Sequence, residues 1–255
     1  MKKHLISTLA LGMILSTTLS VYADTKVKDI DGHWAHNQIS EFIKNSYAKG
    51  YEDNTFRPDK QITRAEFVKL VNKYFGFNDK GVSNFKDINK NNWYYNDVCI
   101  AIKAGYINGY EDNTFKPENP ITRAEFVKIF NRVFGLTSTS GKVFNDTINH
   151  WAKKEIDIAV TNGVANGMSD DIFAPDKLIT REEAAKMLAN YKGIADANHD
   201  KSKRFNDYND ISDWAKDSVE GAIEYGYING MGDGTLAPKN PMKRAEVVVM
   251  LNRVK

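Results

Sequence analysis

Cysteine, proline, excess charge and long apolar runs are all scarce in this 255-residue chain. Cys99 is its one cysteine, so no internal disulfide can form and stability has to come from packing. Of the 35 basic residues, Lys2 and Lys3 belong to a removable leader, and the remaining 33 face 33 acidic ones. A chain this neutral has no global field for steering polyanions, which argues against nucleic-acid binding by counterion release. One apolar run exists, Leu5 to Leu19. With Lys2 and Lys3 before it and Val21-Tyr22-Ala23 after it, residues 1–23 read as a secretory signal, and the mature chain is expected to start at Asp24. The run is short and broken by serine and threonine, unlike a membrane anchor. No second stretch of about 18 apolar residues follows, so no transmembrane segment is expected in the mature chain. What is present, 42% hydrophobic and 11% aromatic residues, suffices for an ordinary folded protein.

The four tryptophans expose an internal repeat. Trp34, Trp93, Trp151 and Trp214 lie 59, 58 and 63 residues apart. Nineteen residues after each comes Asp53, Asp112, Asp170 or Asp233; twenty-four after, Pro58, Pro117, Pro175 or Pro238; thirty after, Arg64, Arg123, Arg181 or Arg244. Pro120 and Pro241 share one register position as well. From Trp to Arg no copy carries an insertion, so that span is the packed unit, and the variable stretch behind it is linker. Apolar residues at Ala35, Ile39, Phe42 and Ile43, and again at Ala215, Val219, Ala222 and Ile223, predict an amphipathic first helix, which Gly105, Gly163 and Gly226 would stop and Ser46 in the first copy. A tight loop follows, Gly50 to Phe56 in copy one and Gly109 to Phe115 in copy two. Then comes a second helix with Phe67, Val68, Val71 and Phe75 on one face.

That second helix opens with Thr63-Arg64-Ala65-Glu66, Thr122-Arg123-Ala124-Glu125 and Thr180-Arg181-Glu182-Glu183. Thr63 with Glu66, Thr122 with Glu125 and Thr180 with Glu183 predict capping boxes. The arginines are unexplained by capping, because the helix dipole favours anions in the first turn. Two readings stand: Arg and the helix N-terminus converge on a bound anion, or Arg pairs with an acid of a neighbouring repeat.

These residues resemble the S-layer homology domain. In that family a unit begins with aromatic-x-Asp, passes an early Trp, a Gly-Tyr-x-Asp-Gly-Thr-Phe loop and Pro, and ends in a Thr/Ser-Arg-Ala-Glu helix start. Phe85-Lys86-Asp87, Trp93, Gly109 to Phe115, Pro117 and Thr122 to Glu125 supply that pattern, and the likeness covers residues 27 to 255. The resemblance implies a mainly α fold of tandem helix-loop-helix repeats and a secreted, cell-wall or S-layer location. It implies non-catalytic anchoring through a secondary wall polysaccharide bearing pyruvate ketals. Arg64, Arg123, Arg181 and Arg244 would then meet the pyruvate carboxylate, with Trp34, Trp93 and Trp151 and the loop glycines Gly50, Gly109 and Gly167 near the sugar. A Trp opening a helix belongs more often to the core, which is the favoured reading here.

The family's usual three-repeat spindle suggests that copies one to three form a pseudo-threefold body and copy four is appended, with the reverse grouping, copies two to four, as the alternative. The last copy departs most, with Met231, Leu236 for Phe, and Lys243 for the cap Thr; in copy three, Met168 and Ser169 replace Tyr-Glu. The expected division is a signal at 1–23, repeats at 24–80, 81–140, 141–193 and 205–255, and a linker at 194–204. Asp196-x-Asn198-x-Asp200 with Asp207 echoes a calcium loop, but Lys201 stands where Gly is needed, so a solvated linker is preferred. Cys99 aligns with Ser40, Asp157 and Glu220, which predicts an exposed helix face, and no histidine recurs beside it as a base. No enzyme activity, metal or cofactor is called for. The alternative function is a surface module that binds protein or packs only on itself.

Overall fold

The computed structural model describes residues 27–254; the secretory leader read at 1–23 lies outside the described residues. Each repeat contributes two helices: α1 (His36–Lys44) and α2 (Arg64–Phe75), α3 (Tyr95–Ala104) and α4 (Arg123–Val133), α5 (Lys153–Thr161) and α6 (Arg181–Lys192), α7 (Lys216–Glu224) and α8 (Arg244–Val254). Among the described residues there is no strand, only four isolated antiparallel bridges. The fold is therefore mainly α and built of tandem helix-loop-helix repeats. Ser46, Gly105, Gly163 and Gly226 all have positive φ just past their first helices, the left-handed turn that ends a helix.

The loop between the helices is anchored from two sides. Phe56, Phe115, Phe173 and Leu236 are fully buried. The next residue, Arg57, Lys116, Ala174 or Ala237, takes a positive φ of 53–57° despite its side chain. The aspartates of the opening motif hold that conformation. Asp87 accepts from the Phe115 and Lys116 amides at 2.8 and 2.7 Å, and Asp29, Asp146 and Asp207 do the same for their loops. Asp207, a candidate calcium ligand by spacing, is spent on this task.

The packing is between repeats. α2 lies on α3, α4 on α5, α6 on α7, and α8 returns to α1. The bridges follow the same circle, pairing Thr63 with Pro120, Thr122 with Leu178, Thr180 with Pro241, and Lys243 with Gln61. The grouping of three repeats plus an appended fourth is thus replaced by a closed ring of four. The reason is physical: every second helix needs the first helix of the following repeat to bury its apolar face, and α6 and α1 would both be left bare without repeat four. Phe67, Phe126, Leu188 and Met250, one from each second helix, line a shared apolar cavity inside the ring.

The face carrying Cys99, Asp157 and Glu220 is buried rather than exposed, because the inter-repeat segments run over it. The Gly81 amide donates to the Cys99 carbonyl at 2.9 Å. Asp157 accepts from the amides of Ser140, Gly141 and Lys142, and Glu220 from those of Lys201 and Ser202. The segment 194–204 is mostly exposed yet docked: the Ile194 carbonyl sits so close to Gly221 that no Cβ would fit there.

Candidate functional site

The start of each second helix carries the repeated polar residues, and there the backbone comes first. Thr63, Thr122 and Thr180 accept from the amide three residues on, and Glu66, Glu125 and Glu183 accept in return from the Thr amides at 3.1, 3.0 and 2.9 Å. At α8 half of this survives: the Lys243 amide donates to Glu246 at 2.8 Å. The next two orphan amides go to the following repeat. Arg64 N–H donates to the Asn119 carbonyl and Ala65 N–H to that of Pro117; α4 uses Lys177 and Pro175, α6 uses Asn240 and Pro238, and α8 uses Lys60 and Pro58. In α2, α4 and α6 every first-turn N–H therefore has an acceptor within the protein, which leaves none to make a helix-terminal anion site. We expect Thr122→Ala to lower stability by about 1 kcal/mol in denaturant unfolding and to leave wall binding per folded molecule unchanged.

The arginines are buried, at 5, 5, 1 and 7% exposure for Arg64, Arg123, Arg181 and Arg244. Each guanidinium reaches into the next repeat. Arg64 pairs with Glu125, Arg123 with Glu183 at 2.9 Å, Arg181 with Glu246 at 2.6 Å, and Arg244 with Glu66 at 3.2 Å, so four ion pairs close a circle. The Arg181–Glu246 contact is an ion pair without the alignment of a hydrogen bond. The Nε atoms donate to the carbonyls of Phe115, Phe173, Leu236 and Phe56. Arg64, Arg123 and Arg244 also lie over the rings of Phe115, Phe173 and Phe56, at 4.4–4.5 Å. Of the two sequence readings, the geometry realises the ion pair with a neighbouring repeat. Each Glu thus serves two masters, capping its own helix and neutralising the preceding repeat's arginine.

The acids differ. At Glu66 burial opposes the charge, but Arg244, the Tyr51 hydroxyl and the Thr63 amide together hold the carboxyl below its usual range. At Glu246 burial prevails over Arg181 and the carboxyl is pushed up. Tyr110 donates to Glu125 at 2.7 Å as Tyr51 does to Glu66, whereas Met168 and Met231 bring no hydroxyl to the other two acids.

Above this ring lie grooves between repeats. One is lined by Arg64, Asn108, Glu125, Lys128 and Trp151, another by Arg123, Gly167, Met168, Glu183, Lys186 and Trp214. Each draws on three successive repeats, which is why no single repeat's sequence outlines it. The core reading of the tryptophans does not hold for three of them: Trp93, Trp151 and Trp214 are 51, 40 and 42% exposed. Trp34 is half-buried and packed on the core. Trp214, Lys128 and Lys186 also line these grooves although the sequence reading did not single them out as site residues; the signal available was their fixed spacing from Arg. The glycines Gly50, Gly109 and Gly167 are explained by close approach, since a Cβ there would collide with Val27, Phe85 and Phe144 respectively.

The ring of repeats, their shared loop and the Thr-Arg-Ala-Glu helix start define a known class of repeat. The S-layer homology domain family matches at residues 28–68, 84–127, 143–185 and 204–248, and the chain belongs to that family. It is similar to "Cell surface glycoprotein 1" of Acetivibrio thermocellus, 32% identical over 200 residues, which cover 72% of this chain and 9% of the relative. The "Cellulosome-anchoring protein" of the same organism is 37% identical over 139 residues, 51% of this chain and 31% of that one. "S-layer protein EA1" of Bacillus anthracis is 28% identical over 198 residues, 74% of this chain and 22% of that one. The chain therefore spans less than a third of these relatives' lengths. Family membership places it among secreted proteins of the cell wall and cell surface. Among the described residues no helix is long and apolar enough to cross a membrane.

Proposed function

We propose that the chain is a non-catalytic anchor that holds to the cell wall by binding a pyruvylated secondary polysaccharide in the grooves between its repeats. The observation that carries this reading is the exposure of Trp93, Trp151 and Trp214, with Trp151 and Trp214 in the walls of grooves that also contain Arg64 or Arg123. An indole face suits the apolar C–H face of a pyranose, and a cationic wall suits a ketal carboxylate. The arginines contribute mainly by building the groove, since their charge is already matched by Glu125 and Glu183. The relatives named for anchoring and for S-layers fit this reading.

Purified chain should sediment with wall sacculi and lose that retention after mild acid removes the secondary polymer. Undiminished retention on stripped sacculi would favour the other reading, a module for protein contacts or self-packing.

A further inference from the structure

Four asparagines of the chain precede a glycine: Asn108, Asn162, Asn166 and Asn229. Such a pair can modify itself, because the glycine amide has no side chain to shield it and its nitrogen closes a five-membered ring on reaching the asparagine Cγ. Three of the four hold one place in the repeat, directly before the loop glycine, where the first repeat has Lys49 instead. Asn108 and Asn166 are exposed and Asn229 is half-buried. Among the described residues, their side-chain amides have no hydrogen-bond partner, and the amides of Gly109, Gly167 and Gly230 donate to no acceptor. Neither the electrophile nor the nucleophile is tied up. Asn162 is the reverse: its Nδ2 donates to the carbonyls of Ile158 at 2.8 Å and Ser138 at 3.2 Å, and the Gly163 amide donates to that of Val160 at 3.0 Å.

The reaction needs only water. The Gly109 nitrogen bonds to Asn108 Cγ and gives up its proton, the Cγ–Nδ2 bond breaks, and ammonia leaves behind a succinimide ring. Water then opens the ring: cleavage at Cγ gives aspartate, and cleavage at the backbone carbonyl gives isoaspartate, whose main chain is one carbon longer. Both products matter at these places. Asn108 lines the groove that holds Arg64, Lys128 and Trp151, and Asn166 the groove that holds Arg123, Lys186 and Trp214, so each groove would gain a carboxylate beside its cations. The extra backbone carbon of isoaspartate falls directly before Gly109, where Phe85 and the Thr114 carbonyl leave no room even for a Cβ. The backbone carbonyls of Asn108, Asn166 and Asn229 accept from Nη2 of Arg64, Arg123 and Arg181 at 3.4, 3.1 and 2.6 Å, which ranks Asn108 as the least restrained and Asn229 as the most.

We infer that Asn108-Gly109 and Asn166-Gly167 are spontaneous deamidation sites, through which a chain held outside the cell ages at two of its four joints: each groove acquires an acid of the chain's own, and each arginine loses part of its hold on the next repeat. Asn229 follows slowly, while Asn162 and the joint carrying Lys49 are spared. The effect of the new acid on wall retention rests on the glycan reading above; the modification itself does not.

The test is peptide mapping by mass spectrometry of residues 24–255 aged in heavy-oxygen water at mildly alkaline pH, once folded and once in denaturant. In the folded chain, label should enter at Asn108 and Asn166 about tenfold faster than at Asn162, the protection that two side-chain hydrogen bonds give. In denaturant all four sites should convert at comparable rates. Asn108→Lys, the residue the first repeat carries at this place, should abolish labelling there and leave Asn166 as before. Labelling of folded Asn162 as fast as Asn108, or a folded Asn108 that stays unlabelled while the denatured chain converts, would overturn the inference. Asn108→Asp, which is one product made directly, should be retained on sacculi about two- to fivefold less well than the wild type at an unchanged melting temperature, the cost of one screened like charge. Equal retention would overturn the ageing of the groove. A wild type that ignores sacculi altogether would overturn the glycan reading, with the labelling still deciding the modification.

Discussion

Deleting repeat four, residues 205–255, should abolish cooperative folding of what remains. The cut removes α7 from α6 and α8 from α1, exposing two apolar helix faces at once. It leaves Arg181 without Glu246 and Glu66 without Arg244, so two buried charges lose their partners. It also frees the Arg181 and Glu182 amides, whose acceptors are Asn240 and Pro238. Thermal melting followed by circular dichroism should show a broad or absent transition, with strong binding of an apolar dye. A sharp transition close to that of the longer chain would mean that three repeats form a self-sufficient body and that ring closure adds little.

Arg181→Ala should destabilise the fold by about 3–5 kcal/mol in denaturant unfolding, the range for breaking one partner out of a buried pair. Arg181 is the most deeply buried of the four arginines, and its loss strands Glu246 together with the carbonyls of Leu236 and Asn229. The cost should therefore appear in stability and not in glycan affinity per folded molecule. Replacing both partners, Arg181→Met with Glu246→Leu, should recover much of the loss, because an apolar pair of similar volume removes the desolvation penalty with the charge. A single Arg181→Ala variant with an unshifted unfolding midpoint would show that the guanidinium is not structural.

The two experiments bear on one consequence of the fold. Because each glutamate caps its own helix and neutralises the preceding repeat's arginine, a defect at one joint is felt by the helix start beyond it.

Periodicity, capping and turn chemistry made much of this legible in advance. The spacing of Trp, Asp, Pro and Arg divides the chain into four units, the 3.6-residue stripes predict both helices of each, and Thr with Glu three residues later predicts the capped starts of α2, α4 and α6. All of these are local, decided within a dozen residues of chain. The oddity of an arginine in a first helical turn was visible too, and both of its explanations could be written down. Which explanation holds depends on what lies opposite Arg64, and that is Glu125, sixty-one residues away in another repeat. In the same way, Cys99, Asp157 and Glu220 read as an exposed face because the backbone covering them has no pattern of its own. Closure of four repeats rather than three rests on α8 packing against α1, a contact between helices at opposite ends of the described chain that no single motif records. Sequence by itself determined the repeat, its helices and its family; tertiary structure alone decided the partner of each charge, the number of repeats in the ring and which indoles face water, because those depend on residues brought together from different repeats.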